Sequence, residues 1–309
     1  MQISDHVRHI LAQYDGERPG VKANLARLLL HGRTGGSGKL VILPVDQGFE
    51  HGPARSFAPN PAGYDPHYVF ELAVEAGLSA LAAPLGLLAA GADRFAGAVP
   101  LILKANSANS LAGHADQAIT GTVGDALELG CSAIGFTIYP GADSQYEMFE
   151  EVREAAAEAR ACGLAVVVWA YPRGGKLSKD GETALDVVAY SAHMAALLGA
   201  HIIKVKLPSA HIEQPEAKSA YAGMGIDFSV LSNRVAHVVK AAFDGRRIVV
   251  FSGGPAKDSQ ALYDEVRAIR AGGGHGSIVG RNSFQRPRED ALAMLDTVIR
   301  LYLGETAGA

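Results

Sequence analysis

Eight short apolar runs recur along this 309-residue chain, each closed by a polar or glycine-rich turn and followed by a longer stretch of helical character. They are LVILPVDQG (40–48), LSALAAPLG (78–86), PLILKAN (100–106), AIGFTIYPG (133–141), AVVVWAYPRG (165–174), HIIKVKLP (201–208), RIVVFSGG (247–254) and GSIVGRN (276–282). Continuous apolar strands suit a parallel sheet covered on both faces. Most are spaced by roughly 20–45 residues, the span of one strand–helix unit. Between them, DPHYVFELAVEAG, SQYEMFEEVREAAAEARACG, ALDVVAYSAHMAALLGA and DSQALYDEVRAIRAGG place apolar residues at intervals of three and four, and several end in a glycine cap. Eight such units fit an α/β fold of the (β/α)8 TIM-barrel type better than an open doubly wound sheet. The expected organisation is a single domain over residues 1–309, with an N-terminal helical segment and loop at 1–37 and the barrel at 38–305. The second, third and eighth runs carry the weakest strand signal, and the Ala-rich second is also compatible with helix.

Charge narrows the class of partner. A net charge of −4 offers no basic footprint for nucleic acid or an anionic membrane. No window approaches a membrane-spanning length of apolar residues, and the N-terminus MQISDHVRHILAQYDGERPG lacks a signal-type apolar centre. A soluble, cytoplasmic protein is expected. Cys131 and Cys162 allow a disulfide in principle, but read as two buried, reduced thiols.

In a barrel the chemistry sits at the C-terminal ends of the strands. There the first run carries Asp46 and Gln47 followed by GFEHGP with His51, and the third carries Lys104 and Asn106. The fifth carries Trp169, Tyr171 and Arg173, and the sixth Lys204 and Lys206. Side chains alternate along a strand, so each same-parity set shares a face; Val168, Ala170, Ile203 and Val205 fit the helix-facing side, which turns the polar set into the barrel mouth. Each residue has an ordinary structural alternative: Asp46 as a cap or turn residue, Trp169 or Tyr171 as core, Lys206 as a snorkelling surface lysine. Lys204, flanked by Ile202, Ile203 and Val205, is harder to place that way. An inward lysine among apolar neighbours has its charged form disfavoured, and a nearby second ammonium acts in the same direction. Such an amine becomes a nucleophile toward carbonyls. Parity leaves Lys204 and Lys206 both open for that role.

The last two strand ends carry FSGGP and VGRN, the position where phosphate sites form in such barrels. Gly253 and Gly254 permit close approach of backbone N–H groups to an anion, Ser252 adds a hydroxyl, and Gly280–Arg281 supply a turn and a planar donor fork. The histidines form no metal-type cluster with neighbouring acids, and no dinucleotide or P-loop fingerprint is present. His51, near Asp46, is the histidine best placed for the site; His193, His201 and His237 read as packing or surface residues.

The motifs LPVDQGFEHGP, LILKAN, VVVWAYPRGG, HIIKVK, FSGGP and VGRN, in this order, resemble those of the archaeal/bacterial-type class I fructose-1,6-bisphosphate aldolases over residues 38–305, within the wider superfamily of DeoC/LsrF-like Schiff-base aldolases. The resemblance implies a (β/α)8 lyase of glycolysis and gluconeogenesis. It would cleave fructose 1,6-bisphosphate reversibly to dihydroxyacetone phosphate and glyceraldehyde 3-phosphate, with no metal or cofactor beyond a covalent lysine imine. Carried over by motif, Lys204 matches the Schiff-base lysine, Tyr171 the proton-transfer tyrosine, Asp46 the acid at the end of the first strand, and Trp169 a residue lining the site. Ser252, Gly253, Gly254, Gly280 and Arg281 match the phosphate binders. Gln47, His51, Lys104, Asn106, Arg173 and Lys206 are further expected contacts, with Lys104 or Arg173 meeting the second phosphate and Lys206 acting as a tuning charge for Lys204. A homo-oligomer is implied; no nucleic-acid or membrane partner is. The segment 208–233 exceeds that of the simplest members, and its Glu213 and Glu216 match no site residue. A related lysine-dependent aldolase, transaldolase or thiolase acting on another phosphosugar, and a non-catalytic phosphosugar-binding barrel, are the alternatives.

Overall fold

Eight parallel strands satisfy one another by closing into a ring. The computed structural model describes residues 3–252 and 258–305. The strands are β1 (Leu40–Pro44), β2 (Ala80–Pro84), β3 (Leu101–Lys104), β4 (Ala133–Ile138), β5 (Ala165–Ala170), β6 (Ile202–Val205), β7 (Ile248–Ser252) and β8 (Gly276–Ile278). Each pairs in parallel with its sequence neighbours, and β1 pairs with β8 to close the barrel. The Ala-rich second run is therefore a strand, because its ladder partners on β1 and β3 outweigh the helical preference of alanine. β8, one of the three runs with a weak strand signal, is also short, with three residues.

Alternation along the strands divides the apolar residues into two sets. Leu40, Ile42, Ile102, Val167, Trp169, Ile202 and Val250 fill the barrel interior, whereas Val41, Leu43, Leu103, Val166, Val168, Ile203 and Val249 pack against the outer helices. Around the outside lie α3 (Pro66–Glu75), α4 (Gln145–Ala161), α5 (Leu185–Leu197), α6 (Leu231–Ala241), α7 (Ser259–Ala271) and α8 (Arg288–Leu303), with shorter turns of helix in the loops. The N-terminal segment forms α1 (Asp5–Ala12) and α2 (Pro19–Leu30). Val7, Tyr14, Val21, Leu25 and Leu28 join the interior set and plug the barrel from its N-terminal end. Tyr14 fastens the plug, its hydroxyl donating to the His201 carbonyl at 2.5 Å and accepting from Ile248 N–H at 3.0 Å. Opposite the plug, the C-terminal end of the barrel is left open for chemistry.

One glycine makes room for the interior aromatic. A Cβ on Gly135 would stand 2.0 Å from the Trp169 ring, so β4 must be bare there for the indole to lie across the barrel. Both cysteines are free, as expected, but Cys162 is exposed rather than buried. It caps the C-terminus of α4.

Candidate active site

The ladder register sets one layer of the interior. Thr137 on β4 stands beside Trp169 on β5, Trp169 beside Lys204 on β6, and Lys204 beside Val250 on β7. Lys204 Nζ lies 5.8 Å from the Trp169 ring centre and 5.3 Å from that of Tyr171. Its side chain opens onto a cleft of about 470 Å³ bounded by Pro44, Asp46, Gln47, Glu50, His51, Tyr171, Arg173, Lys179, Glu182, Lys206, Ser252, Gly280 and Arg281. That volume suits a small metabolite.

Electrostatics distinguish Lys204 from an ordinary lysine. It is 5% exposed, and burial pushes its ammonium down to about 8, with the Arg281 guanidinium helping and Asp46 and Glu50 pulling the other way. A substantial neutral fraction near neutrality is what addition to a carbonyl requires. The Tyr171 phenol is moved in the opposite sense: burial and the carboxylate of Asp46 raise it far above its usual range, while a hydrogen bond with Ser252 opposes them. Tyr171 is thus a protonated phenol beside the amine. Asp46 Oδ1 and Gln47 Oε1 are buried acceptors without a partner among the described residues, on side chains that line the same cleft. Unsatisfied buried acceptors of this kind suit a hydroxylated ligand.

Of the expected site residues, Asp46, Gln47, His51, Tyr171, Arg173, Lys204, Lys206, Ser252, Gly280 and Arg281 all line this cleft. Gly253 and Gly254 lie outside the described residues. Four expectations need correction. Lys104, 3% exposed, is drawn beneath the cleft: its Nζ donates to the backbone carbonyl of Asn106 and, at 2.9 Å, to Asn106 Oδ1. Asn106 itself extends the β3–β4 pairing, accepting from Thr137 N–H at 2.7 Å and donating to Thr137 O at 2.8 Å. Neither reaches the main cleft; Lys104 borders a small side cavity that also touches Asp46 and Tyr171. Trp169, 1% exposed, is a floor between the two inner lysines rather than a wall. Lys206, lastly, is not a free tuning charge. It lies beyond the end of β6 and forms a 2.8 Å ion pair with Glu182. Arg281 is the like charge felt by Lys204.

Sequence reasoning missed Glu50, Lys179 and Glu182. Glu50 sits within the quoted GFEHGP, where a short helix Gln47–His51 turns it into the mouth. Lys179 and Glu182 come from the loop after β5, 3.0 Å apart as an ion pair. Glu213, from the long segment after β6, fixes that loop by accepting from Ser178 N–H and Oγ–H, both at 2.8 Å. Asp186 in turn accepts from the backbone N–H groups of Glu213 and Gln214, each at 2.9 Å. The segment 208–233 thus holds the rim of the cleft.

Among the described residues no group of three His, Cys, Asp or Glu side chains is arranged to hold a metal ion. The amine, phenol and carboxylate around an anion-friendly rim can carry out covalent carbonyl chemistry.

Comparison with known proteins points the same way. Residues 40–286 match the family model described as DeoC/LacD family aldolase. The chain is 35% identical, over 98% of its length and 90% of the relative's, to the probable fructose-bisphosphate aldolase class 1 of Chlamydia muridarum. It is 37% identical, over 86% of its length and 90% of the relative's, to the fructose-bisphosphate aldolase class 1 of Thermoproteus tenax. Among solved structures, an archaeal fructose-1,6-bisphosphate aldolase, with its catalytic lysine bound covalently to the carbinolamine intermediate of the substrate, superposes with a TM-score of 0.74 at 33% identity. That match covers 90% of this chain and 98% of the other.

Proposed function

The chain belongs to the DeoC/LacD aldolase family, and on that premise we propose that it is a class I, Schiff-base fructose-bisphosphate aldolase, cleaving fructose 1,6-bisphosphate reversibly to dihydroxyacetone phosphate and glyceraldehyde 3-phosphate. The observation that carries the reading is the Lys204 amine, buried and depressed to about 8, beside the Tyr171 phenol at the floor of an open cleft.

In this reading neutral Lys204 adds to the C2 carbonyl, and the amine proton passes to the new alkoxide to give a carbinolamine. Tyr171 gives its proton to the departing hydroxyl, water leaves, and a protonated imine remains beside the phenolate. The C3–C4 bond then breaks: its electron pair flows into the imine to form an enamine, and the C4 hydroxyl proton goes to the phenolate. Glyceraldehyde 3-phosphate departs. Tyr171 next protonates the enamine at C3, and water adds to the protonated imine and gives a proton back to the Tyr171 phenolate. Collapse of the second carbinolamine, its hydroxyl proton passing to the lysine nitrogen, releases dihydroxyacetone phosphate and the free amine. One phenol thus serves as donor and acceptor in alternation, as a positioned acid/base does. The high proton affinity of buried Tyr171 makes its phenolate a strong base, and the adjacent imine charge stabilises it. Asp46 Oδ1 orients a substrate hydroxyl. Ser252 and Arg281 hold the phosphate on C1, and Arg173 with His51 meets the phosphate on C6; both fix the reacting carbons over Lys204.

The same family resemblance supports a cytoplasmic homo-oligomer, which light scattering on the purified protein tests for assembly. Among the described residues no helix is long and apolar enough to cross a membrane.

Borohydride reduction in the presence of dihydroxyacetone phosphate tests the mechanism. A stable adduct on Lys204, found by mass spectrometry of the HIIKVKLP peptide, is the expected result, with cleavage of fructose 1,6-bisphosphate unaffected by EDTA. No adduct in that peptide would refute the reading.

A further inference from the structure

Arg173 stands where two cavities meet. It borders the main cleft and also a shallow recess formed with Glu50, His51, His114 and Tyr139. A long cationic side chain in such a place has many rotamers, and a ligand that needed it would have to order it on binding. Here the ordering is built in. The guanidinium carbon lies 4.3 Å from the centre of the Tyr139 ring. The Arg173 N–H donates to Pro140 O at 3.1 Å, so the turn that carries Tyr139 also holds the arginine backbone. Tyr139 is itself 2% exposed, and its hydroxyl accepts from Gln117 Nε2 at 2.6 Å. Gln117, 8% exposed, leads into Ala118–Ile119, which pairs antiparallel with Asn106–Ser107 just past the end of β3. A chain of contacts thus runs from a hairpin after β3, through a tyrosine at the end of β4, to an arginine after β5.

The chemistry of the last contact matters. All five guanidinium donors lie in its plane, so an aromatic face takes up the cation without using any of them. Arg173 Nε is buried with no partner among the described residues, and Glu50 approaches Nη1 only at 3.9 Å. The shelf fixes the side chain while leaving donors for an anion.

We propose that Tyr139, locked by Gln117, is a positioning residue that presets Arg173 for the phosphate remote from Lys204, and that this pair sets the preference for a bisphosphorylated over a monophosphorylated ketose. The inference rests on the aldolase reading above. Tyr139 and Gln117 take no part in bond making.

The test compares cleavage of fructose 1,6-bisphosphate and fructose 1-phosphate, which share the reacting carbons and differ in the remote phosphate. Tyr139→Leu removes the ring and the hydroxyl. The ratio of kcat/KM for the bisphosphate to that for the monophosphate should fall about tenfold, the scale of a desolvated cation–π contact. Gln117→Leu, which keeps the ring but frees its hydroxyl, should lower the ratio about threefold and serves where Tyr139→Leu fails to fold. In an Arg173→Ala background Tyr139→Leu should leave the ratio where Arg173→Ala alone put it. Equal losses on both substrates, an unchanged ratio, or additivity with Arg173→Ala would each overturn the proposal. Borohydride trapping with dihydroxyacetone phosphate separates the two failures: trapping on Lys204 with an unmoved ratio sinks the shelf alone, whereas absent trapping in the unmodified protein sinks the aldolase reading.

Discussion

Lys204→Met should make the protein more stable at neutral pH while removing its imine chemistry. Lys204 is 5% exposed, and burial depresses its ammonium from the ordinary 10.5 to about 8. In the folded state below pH 8 the charged lysine is held at a disadvantage of about 3 kcal/mol relative to the unfolded chain. Methionine matches its length, needs no partner in an apolar layer and does not strain the packing. The gain at pH 7 is therefore about 3 kcal/mol, which at roughly 2 °C per kcal/mol for a chain of this length is a rise of about 6 °C in Tm. Between about 8 and 10.5 the unfolded chain holds a proton on this lysine that the folded chain has lost, so the stability of the unmodified protein rises with pH through that window. The advantage of Lys204→Met should shrink across the same window and nearly vanish above it. Denaturant unfolding of both proteins at pH 7, 9 and 10.5 measures this directly. A variant no more stable than the parent at pH 7, or an advantage undiminished at pH 10.5, would show that Lys204 is not a destabilised buried cation.

Other predictions probe its surroundings. Lys206→Met should leave borohydride trapping on Lys204 intact but lower turnover, because it strips Glu182 of the 2.8 Å partner that anchors it at the rim; loss of trapping would reassign the nucleophile. Arg281→Leu removes the like charge that helps depress Lys204, so the acid limb of the kcat/KM profile should move to higher pH, and an unmoved limb would refute that coupling. Gly135→Ala puts a methyl group 2.0 Å from the indole and should destabilise by about 1–3 kcal/mol. Trp169 is the one tryptophan, so intrinsic fluorescence should report its displacement; an unchanged spectrum and stability would contradict the close fit.

The barrel was legible because its strands obey a period of two. The residues assigned inward on that basis, Trp169 and Lys204 among them, are the ones whose apolar neighbours of the same parity fill the interior, and Val168 and Ile203 do face the helices. Parity stops at the end of the ladder, and so did the accuracy of the reading. Lys104 does point inward, but Asn106, two residues on, folds back to engage it, which no pattern of hydrophobicity could announce. Glu50, Lys179 and Glu182 stand on loops and short turns of helix, where orientation follows from tertiary partners such as Glu213 rather than from spacing. Cys162 went wrong for a related reason: position at a helix end says nothing of which way the last turn faces.

Three lysines crowd one end of this barrel, and their surroundings separate them. Lys104 holds a pair of carbonyl oxygens within the protein, contacts that only its N–H donors can make, so its amine is committed to binding Asn106. Lys206, past the end of β6, reaches a carboxylate in a half-exposed setting and is committed to an ion pair. Lys204 engages neither kind of acceptor among the described residues; the rings of Tyr171 and Trp169 lie 5.3 and 5.8 Å from its Nζ. Aromatic faces stabilise a cation weakly compared with water or a carboxylate. Burial pushes both inner ammoniums, Lys104 and Lys204, down to about 8, and of the two it is Lys204 that borders the main cleft. The barrel achieves this by geometry more than by charge. Trp169 fits only because Gly135 is bare, and the indole then excludes water from the foot of Lys204. A nucleophile in this fold therefore depends on a glycine one strand beyond the tryptophan it packs against.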